Sequence, residues 1–138
     1  MSTISLVKEG KGAKLKVLCK GAPEVLQQLL RVVPPNYEEY YNYYVKHGYR
    51  VIAMGYKALP ETIKARDVSR DNAEKDLEFA GFLIFQCPMK EDTFENVAKI
   101  MEADCKVKII TGDNILTAAY VAVKLRIAEH FNEKDKQE

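Results

Sequence analysis

The succession of apolar and polar positions predicts most of the elements. Residues 3–7, TISLV, read as a strand, and Leu15–Lys20, LKVLCK, alternates well enough to be its return. Between them KEGKGAK carries two glycines and four charges, the composition of a hairpin turn. Leu15, Val17 and Cys19 share one face of the second strand, and Lys16, Leu18 and Lys20 the other. In GAPEVLQQLL, Gly21 breaks the strand, Pro23 suits a first helical turn, and Glu24 suits the positive end of the helix dipole. Val25, Leu26, Leu29 and Leu30 form an apolar stripe that PPN at 34–36 stops. A second helix spans about Tyr37 to Lys46. Tyr37, Tyr40, Tyr41 and Tyr44 follow helical spacing and are expected to face a sheet, with Gly48 as the C-terminal stop.

YRVIAMGYKAL, Tyr49–Leu59, predicts a further strand with Arg50 on the face of Ile52 and Met54. An arginine in register with apolar residues needs an anionic partner, a carboxylate or a bound phosphate, unless it reaches solvent at the strand mouth. PETIKARDVSRDNAEKD is a polar surface helix. LEFAGFLIFQC is a strand whose nearly continuous apolar character suggests burial on both sides. PMKEDTFENVAKIMEAD predicts a helix with Phe94, Val97, Ile100 and Met101 inward. KVKII, residues 106–110, predicts a strand, and NILTAAYVAVKLRIAEHF a helix burying Ile115, Leu116, Ala119, Val123 and Ile127. The tail NEKDKQE is expected to fray. The fold class is α/β: a first lobe of antiparallel strands with helices, then a βαβα lobe with a right-handed crossover, joined by a hinge near QCPMK, 86–90.

Composition narrows the function classes. The 138 residues are 47% hydrophobic and 30% charged, enough for a packed core. Lys+Arg is 21 against 20 Asp+Glu, so a net charge of +1 gives no reason to expect nucleic acid. The cysteines Cys19, Cys87 and Cys105 form no CxxC pair, and the histidines His47 and His130 lie far apart, which argues against a disulfide framework or a zinc site. Cys19 and Cys87 sit in apolar runs and are read as buried thiols. The longest apolar run, FAGFLIF at Phe79–Phe85, falls well short of the ~20 residues a bilayer requires, so this stretch is expected to be soluble.

Two places invite chemistry. Thr111-Gly112-Asp113-Asn114 follows a predicted strand and precedes a helix, where ligands bind in open α/β sheets and backbone N–H groups favour a phosphate. The Thr111 hydroxyl can donate to a phosphoryl oxygen, Gly112 allows close approach, and Asp113 can hold the turn or orient a water or a magnesium-bound group. The plainer alternative is that Asp113 or Asn114 caps the helix while Gly112 permits the turn. Lys20-Gly21, at a strand end, is open in the same way: a guide for a polyphosphate, or a solvated lysine before a helix.

Four segments taken in order, CKGAPEVL (19–26), GYRVIAMGY (48–56), CPMKED (87–92) and ITGDNILTA (110–118), resemble the successive landmarks of P-type ATPases. The resemblance spans Met1 to about Ile127 and is similar to the fifth class, the endoplasmic-reticulum subgroup. Cys87 stands where many other classes have the aspartate of a DPP hinge. The resemblance implies that residues 1–86 are the C-terminal part of a nucleotide-binding domain. It implies that 87–138 are part of a phosphorylation domain with a haloacid-dehalogenase-like Rossmann fold. Lys20 and Gly21 then match the KGA motif of the nucleotide pocket, Arg50 the arginine that reaches the ATP phosphates, and Thr111, Gly112 and Asp113 the surroundings of the transferred phosphoryl group.

ATP and Mg²⁺ are the implied cofactors, and the implied partner is a transmembrane domain. The implied setting is the cytosolic face of the endoplasmic reticulum membrane. The family's acceptor aspartate lies in DKTGT and its magnesium segment in GDGxND, and neither occurs in these 138 residues. The upstream residues that in this family stack on the adenine are not among them either, so the resemblance implies weak nucleotide binding, no autophosphorylation and no metal ligand set. The competing readings are a small haloacid-dehalogenase-like phosphatase and a non-enzymatic interaction domain presenting the tyrosine stripe.

Overall fold

The structure is a computed structural model that describes residues 1–10 and 12–129. The expected fraying tail and His130 lie outside the described residues. The chain divides into two compact units, Met1–Tyr41 with Val51–Ile84, and Asn42–Arg50 with residues 85 onward.

The first unit is built on a four-stranded sheet in the order β1-β2-β3-β4, formed by β1 (Ser2–Glu9), β2 (Gly12–Gly21), β3 (Arg50–Ala58) and β4 (Glu78–Phe85). β1 and β2 make the expected hairpin, with Glu9 opposite Gly12 and Gly10 at a positive φ of 58° that suits a tight turn. β2 and β3 are also antiparallel, with Lys20 opposite Met54 and Gly21 opposite Ala53. Val17 and Cys19 are buried, as their shared face predicts. Burial pushes the Cys19 thiol pKa up, which disfavours the thiolate.

The helices of this unit are shorter than their patterns suggest. α1 covers only Pro23–Gln27: Leu26 is buried and Val25 is exposed. Leu30 leaves the helix to form a parallel bridge with Leu77, and Leu77 N–H donates to the Leu29 carbonyl at 2.9 Å. The polar stretch expected as one helix is a 3₁₀ turn, Ala65–Asp67, and a single turn α3, Arg70–Ala73. Ser69 caps α3 by accepting from Asn72 N–H. At its other end the Lys57 ammonium donates to the carbonyls of Asn72 and Lys75.

The tyrosine stripe is narrower than expected. α2 (Tyr37–Lys46) buries Tyr37, Tyr41 and Val45, spaced i, i+4, i+8, while Tyr40 is 58% exposed and Tyr44 half-buried. Tyr37 packs against Phe79 and Phe82 with ring centroids 5.1 and 4.8 Å away, and its hydroxyl donates to the Pro23 carbonyl at 3.0 Å. Burial pushes the Tyr37 phenol up to about 12. Phe79 and Phe82 are three apart, yet both reach the same ring. Gly81, at φ 140°, interrupts the strand's alternation between them. β4 is not buried on both sides, because Leu83 and Ile84 stay exposed. Cys87 is exposed as well, contrary to its expected burial, because β4 ends at Phe85 and leaves it outside the sheet.

In the second unit α4 (Thr93–Glu102) and α5 (Ile115–Lys124) form where their patterns predict. Leu116 and Leu125 are buried, but Ile115 on α5 and Phe94, Ile100 and Met101 on α4 are exposed rather than inward. The strand expected at 106–110 is absent. Among the described residues no strand lies beside this segment to take its backbone bonds, and Ile110 is left 97% exposed. The α/β class therefore stands, while between α4 and α5 the second unit holds a segment without regular secondary structure.

Candidate functional site

Arg50 is the first residue of β3 and the last of the 42–50 segment that belongs to the second unit. α2 ends as expected at Gly48, whose φ of 79° is the left-handed stop; Tyr49 N–H turns back to the Tyr44 carbonyl at 3.0 Å. The Tyr120 ring lies directly over Gly48, so close that an added Cβ would stand 2.3 Å from Cδ1. The Thr117 hydroxyl donates to the Tyr49 carbonyl at 3.5 Å. Both of these contacts come from α5, so Arg50 is presented by a segment fastened to that helix.

The turn before α5 is 111–114. Asn114 is the N-cap, its Oδ1 accepting from Leu116 N–H at 2.9 Å, which assigns the capping role to Asn114 rather than Asp113. Thr111 Oγ1 accepts from Asp113 N–H at 3.1 Å. That leaves the Asp113 carboxylate to face outward, where Oδ1 lies 3.0 Å from Arg50 Nη2. Of the anionic partners open to Arg50, the structure supplies a carboxylate. The side chains are 60% and 42% exposed, so the pair is a surface ion pair.

Gly112 has no positive φ, and a Cβ added there would meet nothing within 4 Å. Neither strain nor packing requires a glycine at this position. The same holds at Gly21. Lys20, beside it, is exposed at the end of β2 and lines a cavity of about 540 Å³ in the first unit, together with Lys16, Leu18, Met54, Tyr56 and Ala80. The Lys16 ammonium lies 5.5 Å from the Tyr56 ring centroid.

Of the six residues singled out in the sequence, Arg50 is thus brought to Asp113 and the Thr111–Gly112 turn in the second unit, while in the first Lys20 borders a cavity and Gly21 follows it at the end of β2. Sequence reasoning assigned no role to Tyr120 and Thr117, which hold the arginine's segment, or to Tyr56 and Met54 in the cavity wall. The strand alternation that grouped Lys16, Leu18 and Lys20 was a usable signal for the cavity. Nothing local in α5 pointed to Gly48.

No family model matches the chain. It is 44% identical over 147 aligned positions to the endoplasmic reticulum transmembrane helix translocase of Schizosaccharomyces pombe, covering 96% of this chain and 12% of that protein. The protein of the same name in Saccharomyces cerevisiae is 42% identical over 78% of the chain and 9% of its own length. A probable manganese-transporting ATPase of Arabidopsis thaliana is 42% identical over 80% of the chain and 10% of its own length. The chain therefore spans about a tenth of these curated relatives. None of its described helices is long and apolar enough to cross a membrane. With this identity over nearly its whole length, the chain belongs to the P-type ATPase family, on the branch of the endoplasmic reticulum helix translocases and related cation-transporting ATPases.

Proposed function

We propose that this chain forms the nucleotide-handling part of an ATP-driven pump. The observation that carries the reading is the meeting of Arg50 with the Thr111–Asn114 turn, a cation held at the turn that opens α5. Lys20 supports it as an exposed ammonium bordering a cavity with apolar and aromatic walls. Gly21 and Gly112 support it too, since open space over both leaves room for a ligand to approach the backbone.

In this reading Lys20 and Gly21 guide the nucleotide, Arg50 bears on its phosphates, and Thr111, Gly112 and Asp113 surround the phosphoryl group in transit. Phosphoryl transfer is mainly positioning and charge stabilisation, which is the work such groups do. ATP, when bound, supplies the phosphoryl group. The acceptor aspartate belongs to a DKTGT segment, which the 138 residues do not contain, so the chain by itself does not autophosphorylate. Magnesium does not fit the residues described here. No three of His, Cys, Asp and Glu gather among them, and the Asp113 carboxylate already faces a guanidinium. No step is assigned to the metal on these residues.

The longer protein, we infer, hydrolyses ATP through an aspartyl phosphate. Its transmembrane portion is the natural partner of this one, with the present units on the cytosolic face of the endoplasmic reticulum membrane. Two of the relatives carry that organelle, together with transmembrane helices, in their names, and a third is named a probable manganese-transporting ATPase.

The test is calorimetry of the purified chain with ATP. A dissociation constant in the millimolar range, about −4 kcal/mol, is expected, weakened at least severalfold by Lys20→Ala and by Arg50→Ala. Sub-micromolar affinity, or affinity indifferent to both substitutions, contradicts the proposal.

A further inference from the structure

Two backbone N–H groups at the turn before α5 and the Arg50 guanidinium, donors that a phosphate would seek, are already engaged by the chain's own oxygens. Thr111 Oγ1 takes Asp113 N–H, Asn114 Oδ1 takes Leu116 N–H, and Asp113 Oδ1 faces the Arg50 guanidinium at 3.0 Å. These contacts have different consequences. The first two shape the turn and cap α5. The third joins two side chains that are both largely open to water and that the helix does not need, since Asn114 supplies the cap.

A carboxylate at this spot also opposes an incoming phosphate by its charge. A residue kept only for turn geometry would not need to bear one, because a neutral side chain fits an exposed turn equally well.

We propose that Asp113 is a positioning residue acting through Arg50: its carboxylate holds the guanidinium at the turn while no nucleotide is present and gives it up to a phosphate. This rests on the reading of Arg50 as a phosphate ligand. The contact suits such an exchange in both strength and place. An ion pair this exposed shifts an equilibrium by a factor of only about 1.5 to 5, so a polyphosphate of higher charge displaces it readily. The pair also keeps Arg50 where the phosphoryl group would arrive. The Gly48–Tyr120 and Tyr49–Thr117 contacts keep the arginine's backbone in place while its side chain changes partner.

The experiment measures binding of ATP, inorganic tripolyphosphate and adenosine to the full chain at one low ionic strength. It compares the parent with Asp113→Asn, Asp113→Glu, Arg50→Gln and the Asp113→Asn/Arg50→Gln double variant. Asp113→Asn is expected to tighten ATP and tripolyphosphate about twofold to fivefold and to leave adenosine unchanged. Asp113→Glu, which keeps a carboxylate, stays close to the parent. In the Arg50→Gln background the gain from Asp113→Asn disappears.

Tightening that persists undiminished without Arg50 would reduce the effect to general charge and overturn the proposal. So would an Asp113→Asn variant that binds phosphates no better than the parent while Arg50→Gln still weakens them; the phosphate role of Arg50 then survives and only the exchange is lost. If Arg50→Gln leaves ATP affinity untouched, or no variant binds ATP, the nucleotide reading falls and takes this inference with it. All variants change exposed side chains, and matching thermal melts confirm that differences in affinity are not differences in folding.

Discussion

Replacing Gly48 by alanine tests whether α5 holds the arginine's segment. Two separable costs follow from the structure. Gly48 sits at φ 79°, a left-handed conformation that costs an L-residue about 1–2 kcal/mol. The new methyl would also stand 2.3 and 2.4 Å from Cδ1 and Cε1 of Tyr120, so ring or backbone must move, an overpacking cost of about 1–3 kcal/mol. The sum is about 2–5 kcal/mol, a large share of the stability of a small unit. The assay is urea unfolding followed through amide resonances of α5, which report the second unit separately. Tyr120→Ala is made alone and combined with Gly48→Ala. In the Tyr120→Ala background the Gly48→Ala cost is expected to fall to the backbone part, about 1–2 kcal/mol. A cost below about 1 kcal/mol in the parent chain, or the same cost with and without the ring, would refute the account.

The remaining predictions concern core, pH and site. Leu77 is fully buried and its backbone bonds to Leu29 and Arg31, so Leu77→Ala should cost about 2–5 kcal/mol in denaturant unfolding of the first unit. The Glu74 carboxyl is held below its ordinary 4.5 chiefly by the Ser2 hydroxyl, which donates at 2.5 Å, and then by Arg70 at 3.1 Å. A carboxyl depressed in the folded state stabilises above its unfolded pKa and loses that contribution as pH falls through the folded value. Ser2→Ala should raise the Glu74 pKa in an NMR titration and lower stability above the ordinary carboxyl value of 4.5, with the difference from the parent shrinking as pH falls below it. Gly112→Ala should leave the thermal midpoint unchanged or raise it, by about 0.4–1 kcal/mol of stability, because neither φ nor packing requires the glycine. The same variant should weaken ATP binding in calorimetry.

What the sequence revealed was set by local rules. The β1–β2 hairpin, the buried face of Val17 and Cys19, and the stop at Gly48 follow from alternation and from glycine's freedom, and both are local properties. The strand expected at 106–110 was not legible in the same way. Its apolar run meets the strand pattern, but pairing depends on a neighbour that a local pattern cannot supply. The tyrosine stripe misled for a related reason. Helical spacing marks a face, but tertiary packing chose the 37–41–45 line within it and left Tyr40 in water. For Arg50 the sequence demanded an anion without naming it, and the answer, Asp113, lies 63 positions away in the numbering of the ion pair. Cys87 looked buried only because its apolar run extended past the true end of β4 at Phe85.

The most direct test of the central claim is an amide NMR titration of the isotope-labelled chain with a non-hydrolysable ATP analogue. The account predicts shifts concentrated at Lys20, Gly21, Arg50 and residues 111–114, saturating on the order of millimolar ligand. Shifts confined to other surfaces, or none at these positions at about 10 mM analogue, would contradict it.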